Sequence, residues 1–317
     1  MRYETIQSHI SILKSHIQIK FMIFAAIDIG SNAVRLLINH VYETKEKTFF
    51  EKEELIRMPI RLGEDTFLHG EISKQKIERL TATMRGYSEL MKVFDIVSYR
   101  ACATSAMRDA KNGKEVIELV KKESGISIEI IDGKTEAATI FSNHVEEMLD
   151  PMKSYLYIDV GGGSTELTLI TDKKVVAQKS FNVGTLRMLF NKIDKDEWEG
   201  FKQWVKKNTK DTKPLHGIGS GGNINKLFKM SNKKDSKHLS FDKLKSMHDM
   251  LSSYTFEERI TVLDLKPDRA DVIIPAAKIF LSAMKHAEIE KIYVPQIGLA
   301  DGIIHQLYEE HKKKKGK

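Results

Sequence analysis

Two carboxylates enclose a glycine-rich turn in the stretch DVGGGSTE, residues 159–166. Consecutive glycines carry no side chains, so a phosphate group can approach their backbone N–H groups closely. Asp159 and Glu166 would repel that phosphate unless a cation lies between them. Carboxylate and phosphate oxygens are the ligands that Mg²⁺ prefers, usually with some waters retained. The stretch therefore predicts a phosphate loop with Mg²⁺ held by Asp159 and Glu166; the alternative is that Asp159 only bonds its own turn.

The same arrangement occurs earlier in the chain. AAIDIG-SNAVRLLI (25–38) and LYIDVGGGSTELTLI (156–170) align with one gap, each with an apolar strand, an aspartate, a glycine turn and a second apolar strand. An internal repeat of this size predicts two similar α/β domains that face each other across a cleft. Asp28 becomes the third candidate Mg²⁺ ligand. The predicted phosphate-binding residues of the two turns are Gly30, Ser31, Asn32, Gly161, Gly162, Gly163, Ser164 and Thr165.

Three further segments carry polar side chains directly after predicted strands. ATSAMRDAKNG places Arg108 and Asn112 there, and an arginine can hold a phosphate with two parallel hydrogen bonds. Arg108 is equally compatible with a surface ion pair. IIDGKTEAATIF places Glu136 at a helix start, where a carboxylate can also serve only to stabilise the helix N-terminus. LHGIGSGGN adds Gly221 and Asn223 in a third glycine-rich turn.

Strands and helices alternate from residue 22 onward. MIFAAIDIG, VRLLINHVYE and FFEKEELIRMPIRL predict three consecutive strands, and residues 73–94 have helical periodicity. We predict helices near 185–208 and 242–263, a helix over KTEAATIFSNHVEEML, and a last helix, LADGIIHQLYEEH, that crosses back to the first domain. The predicted division is an N-terminal extension over 1–21, a first domain over 22–140 plus 298–317, and a second over 141–297.

Composition excludes several classes of protein. A chain of 317 residues is long enough for two domains, and its 41% hydrophobic and 30% charged residues are typical of soluble globular proteins. Cys102 is the only cysteine, in an apolar run, so we expect a buried residue and a reducing cytoplasmic location. The net charge of +7 resides in residues 1–21 and the KKKKGK tail, which leaves the body neutral and argues against nucleic acid. The sequence has no apolar run long enough to span a membrane.

Taken together and in this order, the five motifs resemble the exopolyphosphatase/guanosine pentaphosphate phosphohydrolase (Ppx/GppA) family over residues 22 to about 310. The resemblance implies two ribonuclease H-like (actin-like ATPase) domains with an interdomain cleft, Mg²⁺, and hydrolysis of a terminal phosphoanhydride. It implies that Glu136 is the catalytic base, that Asp159 and Glu166 belong to the magnesium site, and that Arg108 binds phosphate. The chain is expected to be a short, two-domain member.

Two residues depart from the family pattern. Thr135 precedes Glu136 where the family often has a second acid, and Asn223 replaces a usual threonine, which bears on substrate preference. We expect Mg²⁺-dependent hydrolysis of the terminal phosphate of polyphosphate, with the 5′-phosphate of pppGpp as the alternative. An ATP-dependent small-molecule kinase and a non-catalytic polyphosphate- or alarmone-binding regulator are the other hypotheses. The oligomeric state stays open, with a homodimer as one option.

Overall fold

The first half of the chain forms a mixed five-stranded sheet. The computed structural model describes residues 20–142, 149–212, 214–231 and 238–315. Strands β1 (Lys20–Ile29), β2 (Val34–Glu43) and β3 (Thr48–Met58) are antiparallel, and β4 (Ser98–Ala103) and β5 (Ile128–Ile130) run parallel to β1. The strand order is β3-β2-β1-β4-β5.

A second sheet repeats this order. Its strands are β6 (Ser154–Val160), β7 (Thr165–Thr171), β8 (Lys174–Phe181), β9 (Leu215–Ser220), β10 (His238–Ser240) and β11 (Lys291–Tyr293). They are arranged as β10-β11-β9-β6-β7-β8, so β8-β7-β6-β9-β11 matches the whole first sheet and β10 is an addition. Antiparallel hairpins followed by parallel strands appear in both sheets, which confirms the predicted α/β class and the internal repeat.

Helices connect and cover these sheets. Within the described residues they are α1 (Leu62–His69), α2 (Lys74–Val93), α3 (Ser105–Asp109), α4 (Gly113–Ser124), α5 (Gly133–Phe141), α6 (Thr185–Leu189), α7 (Lys195–Thr209), α8 (Gly222–Met230), α9 (Phe241–Ser253), α10 (Phe256–Thr261), α11 (Pro267–Ala270), α12 (Ile273–His286) and α13 (Leu299–Lys315). Their ends follow local chemistry. Ser73 caps the start of α2 and Gly125, at φ 73°, ends α4.

One apolar cluster joins the two sheets. It contains Phe24 and Leu37 from the first sheet, Tyr157 and Ile170 from the second, and Ile303 from α13, all of them buried. Helix α13 packs against β1, β2, β4 and α5. Helix α5, which carries Glu136, is therefore held between the two sheets and not on an exposed loop.

Several boundaries differ from those predicted. The third strand ends at Met58, because Pro59 follows and Arg61 has a left-handed φ of 59°, and the unpredicted helix α1 starts there. The helix predicted over 242–263 is divided at Thr255, which starts α10 with a capping box. The helix predicted near 185–208 is likewise divided, into α6 and α7.

Three further predictions meet the edges of the described chain. The helix predicted from residue 134 to 149 ends at Phe141, and residues 143–148 lie outside the described residues, as do residues 1–19 of the predicted extension. Strand β1 starts at Lys20 and not at Met22.

Among the described residues no helix is long and apolar enough to cross a lipid bilayer. Cys102 is buried as predicted, and burial raises the pKa of its thiol to about 12.

Candidate active site

Two equivalent rows of side chains cross the two sheets. In the first sheet Asp28 on β1 is paired with Arg35 on β2, and Arg35 with Arg57 on β3. In the second sheet Asp159 on β6 is paired with Glu166 on β7, and Glu166 with Ser180 on β8. Directly paired residues of neighbouring strands point to the same face of a sheet. We call Asp28, Arg35 and Arg57 the basic row, and Asp159, Glu166 and Ser180 the acidic row.

The turns that follow the two aspartates have the same length. The amide of Gly30 donates to the carbonyl of Ala33 at 3.1 Å, and the amide of Gly161 donates to the carbonyl of Ser164 at 2.9 Å. The gap placed in the alignment of the repeat is therefore wrong. Without it, Arg35 corresponds to Glu166, as the strand pairing requires.

The two glycine turns touch each other. A Cβ added at Gly162 would lie 2.9 Å from Cβ of Ser31, and one added at Gly163 would lie 2.3 Å from Oγ of Ser105. Any side chain at these two positions would push the halves of the molecule apart. The turns predicted from the sequence are thus brought together at one cleft of about 300 Å³.

Three carboxylates gather beside these turns. Glu136 at the start of α5, Asp159 and Glu166 each offer an oxygen, and these oxygens lie within 4.8 Å of one another. Glu136 and Glu166 are only 9% and 2% exposed. Within the described residues Oε2 of Glu136 is buried and accepts no hydrogen bond. A buried cluster of hard oxygen donors with an unpartnered oxygen fits a divalent cation such as Mg²⁺.

Burial and repulsion by nearby carboxylates raise the pKa values of all three groups. Burial raises the pKa of Asp159 to about 6, and Asp28 adds to this while Ser220 opposes it. Burial and then Asp159 raise the pKa of Glu166 to about 7. The pKa of Glu136 lies well above its usual range, because of burial first and of Glu166 second. The cluster is under electrostatic strain that a cation would relieve.

Asp28 does not join this cluster. Its Oδ2 accepts a hydrogen bond from Nη1 of Arg35 at 2.6 Å, so its charge is already neutralised within the basic row. Asp28 lines the same cleft and raises the pKa of Asp159. The structure thus brings together two of the three predicted metal ligands with Glu136, and it leaves Asp28 on the other wall.

The predicted phosphate-binding residues of the turns have different surroundings. Gly30, Ser31, Asn32, Gly161, Gly162 and Ser164 line the cleft. Asn32 also donates through Nδ2 to the carbonyl of Asp268 at 3.0 Å. Gly163 is buried, and the hydroxyl of Thr165 donates to the carbonyl of Val183. Thr165 is fully buried, and its hydroxyl proton is already donated to Val183. In this structure the side chain therefore stabilises the fold and does not line the cleft.

The other predicted residues lie around the same site. Gly221 has a φ of 104°, which favours glycine, and it lines the cleft with Asn223 at the start of α8. Nη1 of Arg108 donates to the carbonyl of Ile131 at 3.0 Å, just before α5, and its charge lowers the pKa of Glu136 and Glu166. Asn112 bonds the backbone of Ile72 in both directions, which makes it a structural residue.

Four cations of the cleft were missed by the sequence interpretation. Arg35, Arg57, Arg269 and Lys52 line it. Arg57 donates to the carboxylate of Asp268, and Arg269 donates to the carbonyl of Gly222. Burial lowers the pKa of Arg269 to about 10, and the nearby Arg57 and Arg35 lower it too. Of these, only Arg35 had a sequence signal, namely its place opposite Glu166 in the ungapped repeat.

Residues 45–311 match the Ppx/GppA phosphatase family, which is 267 of 317 residues. The chain belongs to the Ppx/GppA phosphatase family. This confirms the resemblance inferred from the five motifs and the expected enzyme class, a hydrolase. The matched residues include the second glycine turn, residues 161–164, and all three carboxylates of the cluster. The first glycine turn, residues 30–33, lies before residue 45 and is outside the match.

Curated relatives carry three different names. The chain is 32% identical over 274 residues to the bifunctional 3-dehydroquinate synthase/phosphatase of Fusobacterium nucleatum, and it spans 79% of its own length but only 41% of that relative. It is 26% identical to exopolyphosphatase 2 of Mycobacterium tuberculosis, covering 88% and 96% of the two chains. It is 24% identical to the guanosine-5′-triphosphate,3′-diphosphate pyrophosphatase of Vibrio parahaemolyticus, covering 91% and 60%.

Solved structures agree on the fold. The Ppx/GppA family member of Aquifex aeolicus is 27% identical, covers 92% of this chain and 99% of its own, and has a TM-score of 0.72. An exopolyphosphatase from Cytophaga hutchinsonii superimposes with a TM-score of 0.78 at 23% identity over 91% and 98% of the two chains. The predicted actin-like architecture of two ribonuclease H-like halves is confirmed.

Proposed function

We propose that the protein is a Mg²⁺-dependent exopolyphosphatase that removes the terminal phosphate of inorganic polyphosphate. One observation carries this proposal: Glu136, Asp159 and Glu166 cluster beside two glycine turns that meet at one cleft. Glycine turns present N–H groups to phosphate, and a carboxylate cluster next to them requires a cation.

The acidic row would hold that cation. Asp159 and Glu166 are the proposed ligands, directly or through water, and Glu136 lies within 4.8 Å of both. Bound Mg²⁺ would supply positive charge that keeps the carboxylates ionised and lets phosphate oxygens approach them. Arg108 adds a second positive charge near Glu136 and Glu166, since it lowers the pKa of both groups.

Glu136 is the proposed general base. Glu136 lines the cleft, and its Oε2 has no hydrogen-bond partner among the described residues, so it can accept a proton from water. The water oxygen would bond to the terminal phosphorus as the bridging P–O bond breaks. The products are orthophosphate and a chain shorter by one phosphate.

The remaining walls would hold the phosphates. The amides near Gly30 and Gly161 and the start of α8 at Gly222 offer N–H donors, because the first N–H groups of a helix lack partners within it. Arg35, Arg57 and Arg269 line the same cleft and provide positive charge there. Such fixed donors and charges stabilise the transferring phosphoryl group and the leaving chain.

Phosphate release from polyphosphate and from pppGpp, measured side by side with Mg²⁺ and with a chelator, tests the proposal. We expect release from polyphosphate only with Mg²⁺. Faster release from pppGpp would assign the chain to the alternative substrate. Binding of polyphosphate without phosphate release would favour a regulator, and phosphate transfer from ATP to a sugar or acetate would favour a kinase.

A further inference from the structure

Ser180 on strand β8 lies behind the carboxylate cluster. It is paired directly with Glu166 in the sheet, and its Oγ donates to Oε1 of Glu166 at 2.8 Å. Ser180 is not among the residues that line the cleft. Ser164 also hydrogen-bonds Glu166, but Ser164 lines the cleft and can contact substrate. Ser180 therefore contacts the proposed metal ligand from outside the cleft lining.

Helix α5 begins in close contact with Ser180. A Cβ added at Gly133, the first residue of α5, would lie 2.4 Å from both Cβ and Oγ of Ser180 and 3.4 Å from Oε1 of Glu166. The start of α5 thus rests directly on Ser180, with no side chain between them. Glu136 follows three residues later, within the first turn of the helix.

We propose that Ser180 is a positioning residue that orients the Glu166 carboxylate and sets its separation from Glu136. One hydroxyl group touches both the carboxylate that would bind the cation and the helix that carries the base. This role rests on the proposed function, because it assumes that Glu166 binds a divalent cation. Hydrogen-bond partners of metal ligands typically change metal affinity or activity about 10–100-fold when they are removed.

The test compares Ser180→Ala with a matched control, Gln178→Ala. Gln178 lies two residues earlier on the same face of β8, and its Nε2 contacts the carbonyl of Lys134 in α5 at 3.4 Å without touching Glu166. Mn²⁺ binding to the purified full chain, followed by the electron paramagnetic resonance of free Mn²⁺, gives a readout that does not depend on turnover.

For Ser180→Ala we expect the Mn²⁺ dissociation constant to rise about ten-fold. The Mg²⁺ concentration for half-maximal phosphate release should rise in parallel, while KM for polyphosphate at saturating Mg²⁺ stays close to wild type. Gln178→Ala should change none of these quantities. Ser180→Thr retains a hydroxyl, so it should bind Mn²⁺ more tightly than Ser180→Ala. Circular dichroism tests whether each variant is folded. If Ser180→Ala does not fold, Ser180→Thr and Gly133→Ala take its place.

The outcomes separate this role from the proposed function. If the wild-type chain binds Mn²⁺ and Ser180→Ala binds it equally well, the role of Ser180 is overturned and the metal site stands. An equal loss in Gln178→Ala also overturns it, because the effect would then come from the support of α5 in general. A wild-type chain that binds no Mn²⁺ overturns the metal site itself and this role with it. For Gly133→Ala, whose added Cβ displaces Ser180 and α5, unchanged Mn²⁺ binding would likewise contradict the proposal.

Discussion

The basic row and the acidic row occupy the same place in two repeated sheets but carry opposite charge. Each begins with an aspartate at the end of a central strand, Asp28 or Asp159, just before a glycine turn of equal length. The next position is Arg35 in one sheet and Glu166 in the other. Arg35 neutralises its aspartate at 2.6 Å, whereas Glu166 adds a second negative charge beside Asp159.

This divergence, continued at the next strand, would give the two walls of the cleft different tasks. The basic row continues with Arg57, so its three side chains are two cations and one anion. The acidic row continues with uncharged Ser180, so it has two anions, and in our proposal it takes up a cation from solution. A phosphate chain between the walls would meet fixed arginines on one side and bound Mg²⁺ on the other. A duplicated hairpin can thus supply both halves of a phosphoryl-transfer site.

The largest expected effect comes from Glu136, which lies over the acidic row. Glu136→Gln keeps the side-chain shape but removes the charge, and loss of a positioned base typically lowers the rate about 10²–10⁴-fold. Binding of polyphosphate should be retained or slightly stronger. Turnover and binding of the same variant are the measurements, with the exposed Glu129→Gln as control. Turnover above roughly a tenth of wild type would show that the base lies elsewhere.

Arg57 tests the basic row. Arg57→Gln should raise KM for polyphosphate about ten-fold, since a hydrogen bond to a charged group contributes about 1.5–3 kcal/mol and about 1.4 kcal/mol corresponds to ten-fold in binding. Arg85→Gln, at an exposed arginine on α2, is the matched control. Asp268→Asn breaks the ion pair with Arg57 but keeps the arginine. If Asp268→Asn raises KM as much as Arg57→Gln does, Arg57 acts through its ion pair with Asp268 and not by binding phosphate.

The smallest expected effect is on stability without metal. The folded pKa values of Asp159 and Glu166, about 6 and about 7, exceed their ordinary values of 3.8 and 4.5. Their contribution to stability is complete below those ordinary values and is lost as the pH rises through the folded ones. With a chelator, Tm should therefore fall by a few degrees between about pH 5 and pH 7.5. Mg²⁺ should raise Tm more at pH 7.5 than at pH 5, and an equal rise at both would contradict the raised pKa values.

Local motifs sufficed for much of this site. The glycine turns, Asp159 and Glu166 were predicted from short stretches, because turn chemistry and strand ends are local properties. Glu136 was compatible with a helix-start carboxylate, and only the family resemblance favoured a base. The two-sheet fold follows from the repeat. The sequence interpretation could not place Arg57 or Ser180 in the site, since their roles come from strand register. Arg269 and Asp268 approach the basic row only through packing.

Two errors have a simple physical origin. One gap in the repeat hid the correspondence of Arg35 with Glu166, so the pairing of Asp28 with Arg35 was not anticipated. The strand extended to Leu62 ignored Pro59, which ends β3 and precedes α1. Strand pairing, once known, corrects the first error, and proline stereochemistry corrects the second.

Mn²⁺ binding to wild type, Glu166→Gln and Asp28→Asn tests most directly the claim that the cation belongs to the acidic row. Glu166→Gln removes a proposed ligand, so its dissociation constant should rise by at least about ten-fold, the size seen when even the partner of a ligand is lost. Asp28→Asn leaves the acidic row intact and should bind Mn²⁺ nearly as wild type does. Equal or greater weakening in Asp28→Asn, or unchanged binding in Glu166→Gln, would contradict the account.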